Sequence, residues 1–175
     1  MPDNCEAEIQ VVTYNPNWPL QFEKERAILS EALKPYIIGG IEHVGSTAIS
    51  GLVAKPVIDI MVGVEKLETS KGAIPILEQL GYCYFPYRPH QMHWFCKPNP
   101  QFRTHHLYLV PYESQVWLER IGFRDYLRRH SKATIEYAEL KKKLARLYRF
   151  DREGYTEAKV HFVRRIIEQA LPNDS

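Results

Sequence analysis

Two short runs constrain this chain most: Ile41-Glu42-His43-Val44-Gly45-Ser46-Thr47, and, eight residues on, Lys55-Pro56-Val57-Ile58-Asp59-Ile60-Met61-Val62. The first has the pattern of a strand that ends in a Gly-Ser turn and opens a short helix. The second is a strand in which Ile58, Ile60 and Val62 alternate with Val57, Asp59 and Met61. Alternation at period two puts the aliphatic set on the core face and turns Asp59 to the opposite face. A glycine followed by a small hydroxyl residue lets backbone N–H groups approach a phosphate closely. An aspartate on the neighbouring strand could hold a divalent cation, Mg or Mn, against the same phosphate.

Around this pair the rest of the chain is read from periodicity. Asn17 is the expected N-cap of a first helix, with Pro19 in its first turn. Phe22, Ile28, Leu29, Ala32 and Leu33 would share its inner face, and Glu23, Lys24 and Glu25 would face water. A helix near Ala73 to Leu80 ends at Gly81. Aromatic-rich runs at 82–85, 92–96 and 105–110, each bounded by proline-containing loops, read as antiparallel strands. Beyond Pro111 the pattern is helical: one segment capped by Ser114, one near Thr134 to Tyr148, and one from Tyr155 to Ala170. The expected architecture is α+β, a mixed sheet flanked by helices with a helical C-terminal third, in a single domain over residues 1–175.

Composition narrows the function classes. With 45% hydrophobic residues, 175 residues can bury one substantial core. A net charge of +2 gives no reason to expect specific nucleic-acid binding. No apolar run reaches the roughly 20 residues of a membrane span, so no membrane association is expected. Cys5, Cys83 and Cys96 are odd in number and lack a C-x-x-C spacing, and the first six residues are polar and acidic. Reduced thiols and a cytoplasmic location are the expectation.

Several ordered motifs resemble the GrpB family, small bacterial proteins placed by fold in the nucleotidyltransferase superfamily. They are Tyr14-Asn15-Pro16-Asn17-Trp18, the two runs above with Gly51-Leu52 between them, Thr104-His105-His106-Leu107, Phe123-Arg124-Asp125-Tyr126-Leu127-Arg128, Asp151-Arg152-Glu153, and Tyr155-Thr156-Glu157-Ala158-Lys159. The resemblance runs nearly end to end, with Ser50 where relatives usually carry a proline. It implies a nucleotidyltransferase-like fold and a site location, and leaves the activity open. A GrpB-like domain is fused to dephospho-coenzyme A kinase in some bacteria, which points toward nucleotide-related biology.

Active nucleotidyltransferases place two carboxylates two residues apart on one strand, where they share two metal ions. Here Asp59 occupies the first position and Met61 the second, and a thioether is a poor ligand for magnesium. A later strand that would supply a third carboxylate offers His105, His106 and Tyr108 instead. The expected site therefore has Asp59 as its catalytic carboxylate and Asp59 with His106 as metal ligands. Gly45, Ser46, Thr47, Lys55, Arg103, His43 and His106 would hold a nucleotide or phosphorylated small molecule. Asp59 could instead salt-bridge Lys55 or Arg103, and His43 and His106 could be satisfied core histidines. Arg124 and Arg128, one turn apart, read as an ion-pair network tying the helices to the sheet, with an anion-binding stripe as the alternative. Lys141-Lys142-Lys143 reads as a solvated helix face. Rings at Tyr84, Trp94 and Phe95 read as core, although an exposed one could stack on a base. Three functions follow: metal-dependent nucleotidyl transfer, non-catalytic binding of a nucleotide or anion, and a protein-interaction domain on the same scaffold.

Overall fold

The computed structural model describes residues 7–172; Cys5 and the acidic N-terminal run lie outside them. Five strands form one mixed sheet in the order β1-β2-β5-β4-β3. They are β1 (Ile41–Val44), β2 (Ile58–Val64), β3 (Cys83–Phe85), β4 (His93–Pro98) and β5 (Arg103–Pro111). β2 and β5 run parallel at the centre, and the remaining pairs are antiparallel. The strand carrying the Gly-Ser turn is an edge, hydrogen-bonded to β2 alone among the named strands. Cys83 and Cys96 are register partners with free thiols.

One face of the sheet is closed by α1 (Trp18–Ala32) and α2 (Ala73–Gln79). Ile58, Ile60, Val62, Leu107, Leu109 and Phe95 meet Trp18, Phe22, Leu29, Leu33, Ala73 and Leu77 there in the main core. The inner stripe of α1 is Trp18, Phe22, Glu25 and Leu29, and Ile28 is exposed. Glu25 is thus buried, contrary to its expected solvent position. It accepts hydrogen bonds from the Tyr82 hydroxyl at 2.7 Å and Lys97 Nζ at 2.5 Å. Burial pushes its carboxyl up, but these two donors outweigh burial and hold it below the usual carboxylate range. Asn17 makes no side-chain cap; the Asn15 side chain accepts from the Asn17 N–H instead.

The other face is covered only in part. α3 (Gln115–Arg129), α4 (Ser131–Leu147), α5 (Arg152–Ala158) and α6 (Val160–Ala170) make up the C-terminal third. Ser114 caps α3 as its sequence position implied, accepting from the Trp117 N–H. Trp117 packs with Val44, Met61, Met92, Tyr108 and Val110 under one end of this face. A separate cluster of Ile49, Leu52, Leu127, Tyr137, Phe162 and Ile166 ties the turn after β1 to the helices. The helix expected from Tyr155 to Ala170 is broken at Lys159. Among the described residues, no helix is long and apolar enough to cross a membrane.

Candidate functional site

Where the helices leave the sheet uncovered, a cleft of about 860 Å3 opens. Its floor is fixed by register. Asp59 pairs with His106 across β2 and β5, and Met61 pairs with Tyr108, so all four side chains point to the same face. Asp59 Oδ1 accepts from the Tyr108 hydroxyl at 3.1 Å and lies 3.1 Å from His106 Nδ1. Burial pushes the Asp59 carboxyl up, but the His106 hydrogen bond and the positive charges of Arg120 and Lys55 outweigh it, so the group is held ionised. An ionised carboxylate only accepts, so His106 Nδ1 must carry the proton. Burial holds the His106 ring below its ordinary value, hence neutral, and leaves Nε2 as a buried atom without a hydrogen-bond partner.

Gly45, Ser46 and Thr47 form the wall beside Asp59, in a short 3-10 turn. Gly45 has φ of 73° and ψ of −171°, a region open essentially to glycine alone. The Thr47 hydroxyl is not free for a ligand: it donates to the Val57 carbonyl at 3.1 Å and meets His43 Nε2 at 2.9 Å.

Lys55 and Arg103 line the cleft as expected. His43 does not. It pairs with Ile60, so it shares the main-core face, where its ring stacks on Phe22 at 4.8 Å. Burial holds it down at about 4, so it is a neutral core histidine. Arg124 and Arg128 also lie outside the cleft lining. Arg124 donates to Glu42 at 2.6 Å, Asp125 at 2.9 Å and the His43 carbonyl at 3.0 Å, and Arg128 donates to the Ala48 carbonyl at 2.7 Å. The ion-pair network is the observed role of this motif.

Sequence reasoning missed Arg88, Arg120, Lys141, Arg152 and Lys159, which with Lys55 and Arg103 face the cleft against only Asp59, Glu153 and Glu157 among the described residues. Lys141 is 2% exposed, not on a solvated face. Its spacing from Tyr137 and Leu144, four and three residues, is the helical signal that could have found it. Arg120 lies 4.1 Å from the Tyr108 ring centroid. Phe85, Tyr87 and Trp94 build an aromatic wall, with the Arg103 guanidinium 5.3 Å over Trp94.

The donor set does not suit a divalent cation held by Asp59 and His106 together. Their mutual hydrogen bond turns the His106 Nδ1–H to Asp59, so Nε2, the nitrogen able to ligate, points away from that carboxylate and the two cannot close on one ion. Met61 is fully buried among apolar side chains. Among the described residues, no group of three or more His, Cys, Asp or Glu side chains could hold a metal.

A mixed sheet with a Gly-Ser turn beside a strand aspartate, flanked by these helices, is a nucleotidyltransferase-like fold. One chain of a solved GLD-2/RNP-8 complex shares it at a TM-score of 0.56 and 16% identity, covering 93% of this chain and 67% of its own. Within that class the chain belongs to the GrpB family, whose model, described as GrpB protein, matches residues 8–169. A UPF0157 protein of Pseudomonas aeruginosa is 40% identical, covering 93% of this chain and 68% of its own length. The glutamate-rich protein GrpB of Alkalihalophilus pseudofirmus is 36% identical over 93% and 95% of the two chains. The crystal structure of conserved protein GrpB from Enterococcus faecalis superposes with a TM-score of 0.85 at 33% identity, covering 92% of this chain and 96% of its own.

Proposed function

We propose that this protein binds a nucleotide or another phosphorylated small molecule in the cleft. The excess of cationic over acidic side chains around one concave surface carries this reading. Lys55, Lys141 and Lys159 form no ion pair among the described residues; desolvated cations are costly, and an anionic ligand removes that cost. The Phe85, Tyr87 and Trp94 wall offers apolar faces on which a planar ring can stack. Metal-dependent nucleotidyl transfer is the second reading, favoured by the fold and by the ionised Asp59 beside Gly45. Met61 in place of a second carboxylate weighs against it, so binding is the primary reading.

Calorimetry on wild type and Asp59→Asn with phosphate, AMP, ATP and adenosine, in EDTA and then with Mg or Mn, tests both. Binding of the phosphorylated compounds in EDTA should survive Asp59→Asn or tighten a few-fold, because a negative charge beside the anion is removed. Any Mg- or Mn-dependent turnover should disappear in the variant. Absence of binding by every phosphorylated compound, or equal affinity for adenosine and AMP, would overturn the binding reading.

A further inference from the structure

Three lysines from distant parts of the chain converge on the C-terminal wall of the cleft. Lys55 precedes β2, Lys141 comes from α4, and Lys159 sits at the break between α5 and α6. Lys55 Nζ and Lys159 Nζ lie 5.0 Å and 4.3 Å from the centroid of one ring, Tyr155. Lys141 Nζ lies 5.1 Å from the Tyr137 ring and donates to the Val53 carbonyl at 2.9 Å. None of the three forms an ion pair among the described residues. The carboxylate whose field reaches all three is Asp59, which is already hydrogen-bonded to His106 and Tyr108.

On the reading that the cleft binds a phosphorylated ligand, we infer that Lys55, Lys141 and Lys159 form a second anionic subsite. It takes the distal phosphate of a di- or triphosphate group without a divalent cation. A single phosphate carries about two negative charges, too few for the Asp59 side of the cleft and three ammonium groups together. A second phosphate on the same ligand supplies the missing charge. The usual device in this fold brings cations to the polyphosphate on strand carboxylates, and Met61, His106 and Tyr108 cannot do that. Here fixed ammonium groups provide the positive charge directly. Burial, with repulsion from neighbouring cations, holds all three lysines below their ordinary range, a cost that a bound anion removes.

The test measures the affinity of phosphate, pyrophosphate and tripolyphosphate in EDTA, then with excess Mg. Wild type should bind pyrophosphate and tripolyphosphate at least about ten-fold more tightly than phosphate in EDTA, and added Mg should weaken them by competing for phosphate oxygens. Lys159→Met, which keeps the aliphatic stem, should erase that preference, costing the polyphosphates about ten-fold more affinity than it costs phosphate. Lys55→Met does the same from another segment and stands in if the first variant fails to fold. Lys142→Met, at an exposed lysine of α4, should keep the wild-type ratio. A wild-type ratio in both cleft variants, or polyphosphate binding only with Mg, overturns the subsite and leaves the binding function intact. If wild type binds none of the three anions, both fail together.

Discussion

A β-carbon on Gly45 would collide with Oδ2 of Asp59. The turn and the strand carboxylate are therefore in backbone-to-side-chain contact, which joins the wall of the cleft to its floor. The contact is possible only because Gly45 combines the absence of a side chain with a φ of 73°.

Gly45→Ala should damage both stability and binding. The new methyl must displace a partly buried, doubly hydrogen-bonded carboxylate, and the backbone conformation is strained for any L side chain. The expected cost is about 2–4 kcal/mol in urea denaturation, with at least a ten-fold loss of phosphate affinity. Gly51→Ala is the control: its φ is also positive, at 81°, but nothing lies within 4 Å of the added carbon. It should lose stability and keep affinity. Equal behaviour of the two variants would show that the Asp59 contact is irrelevant.

The unliganded protein should become more stable as pH rises from about 7 toward 9. Burial holds Lys159 down at about 7 and Lys55 at about 8, whereas lysine in an unfolded chain titrates near 10.4. Across that interval the unfolded chain binds more protons than the native one, so stability climbs with pH, and the full cost is borne below pH 7. The groups around the cluster are Lys141, Arg152, Arg103 and Asp59. Below them, His43 adds a second window of the same sign. Its ring titrates at about 4 when folded and near 6.5 when unfolded, so stability is lost as pH falls from about 6.5 to 4. Urea denaturation at a series of pH values checks both, and Lys159→Met should flatten the upper window. A wild-type curve that is flat from pH 7 to 9 would show that the lysines are not desolvated.

Arg124→Met should unfold more easily by about 2–4 kcal/mol, because it strips donors from Glu42, Asp125 and the His43 carbonyl at a position 8% exposed. Phosphate affinity of the folded variant should change by less than about two-fold, since Arg124 does not line the cleft. A stability change under about 0.5 kcal/mol would mean the network contributes nothing measurable. A large loss of affinity with stability intact would return this arginine to the binding site.

Strand alternation was readable because it is local: Ile58, Ile60 and Val62 face the main core, and Asp59 faces away, as period two demands. The Ser114 cap and the Gly81 terminus of α2, with φ of 91°, are local as well. Family membership was legible too, because ordered motifs survive in sequence whatever the chain does with them. Errors arose wherever a side chain's fate depended on a distant partner. Glu25 reads as a surface acid until Tyr82 and Lys97 are brought to it by β4 and its neighbour. Lys141 reads as one of three solvated lysines until the Val53 carbonyl meets it.

The sequence by itself thus determined the α+β class, the Gly-Ser turn, the outward parity of Asp59 and the loss of the second carboxylate at Met61. Tertiary structure decided which histidine joins Asp59. Pairing of Val44 with Asp59 and of His106 with Asp59 sends His43 into the core and His106 to the cleft, and register between strands is not written in either strand alone. It also decided the charge of the cleft. Lys55, Lys141 and Lys159 are separated by up to 104 residues of chain, and only the packing of α4, α5 and α6 beside the sheet sets their ammonium groups around one pocket.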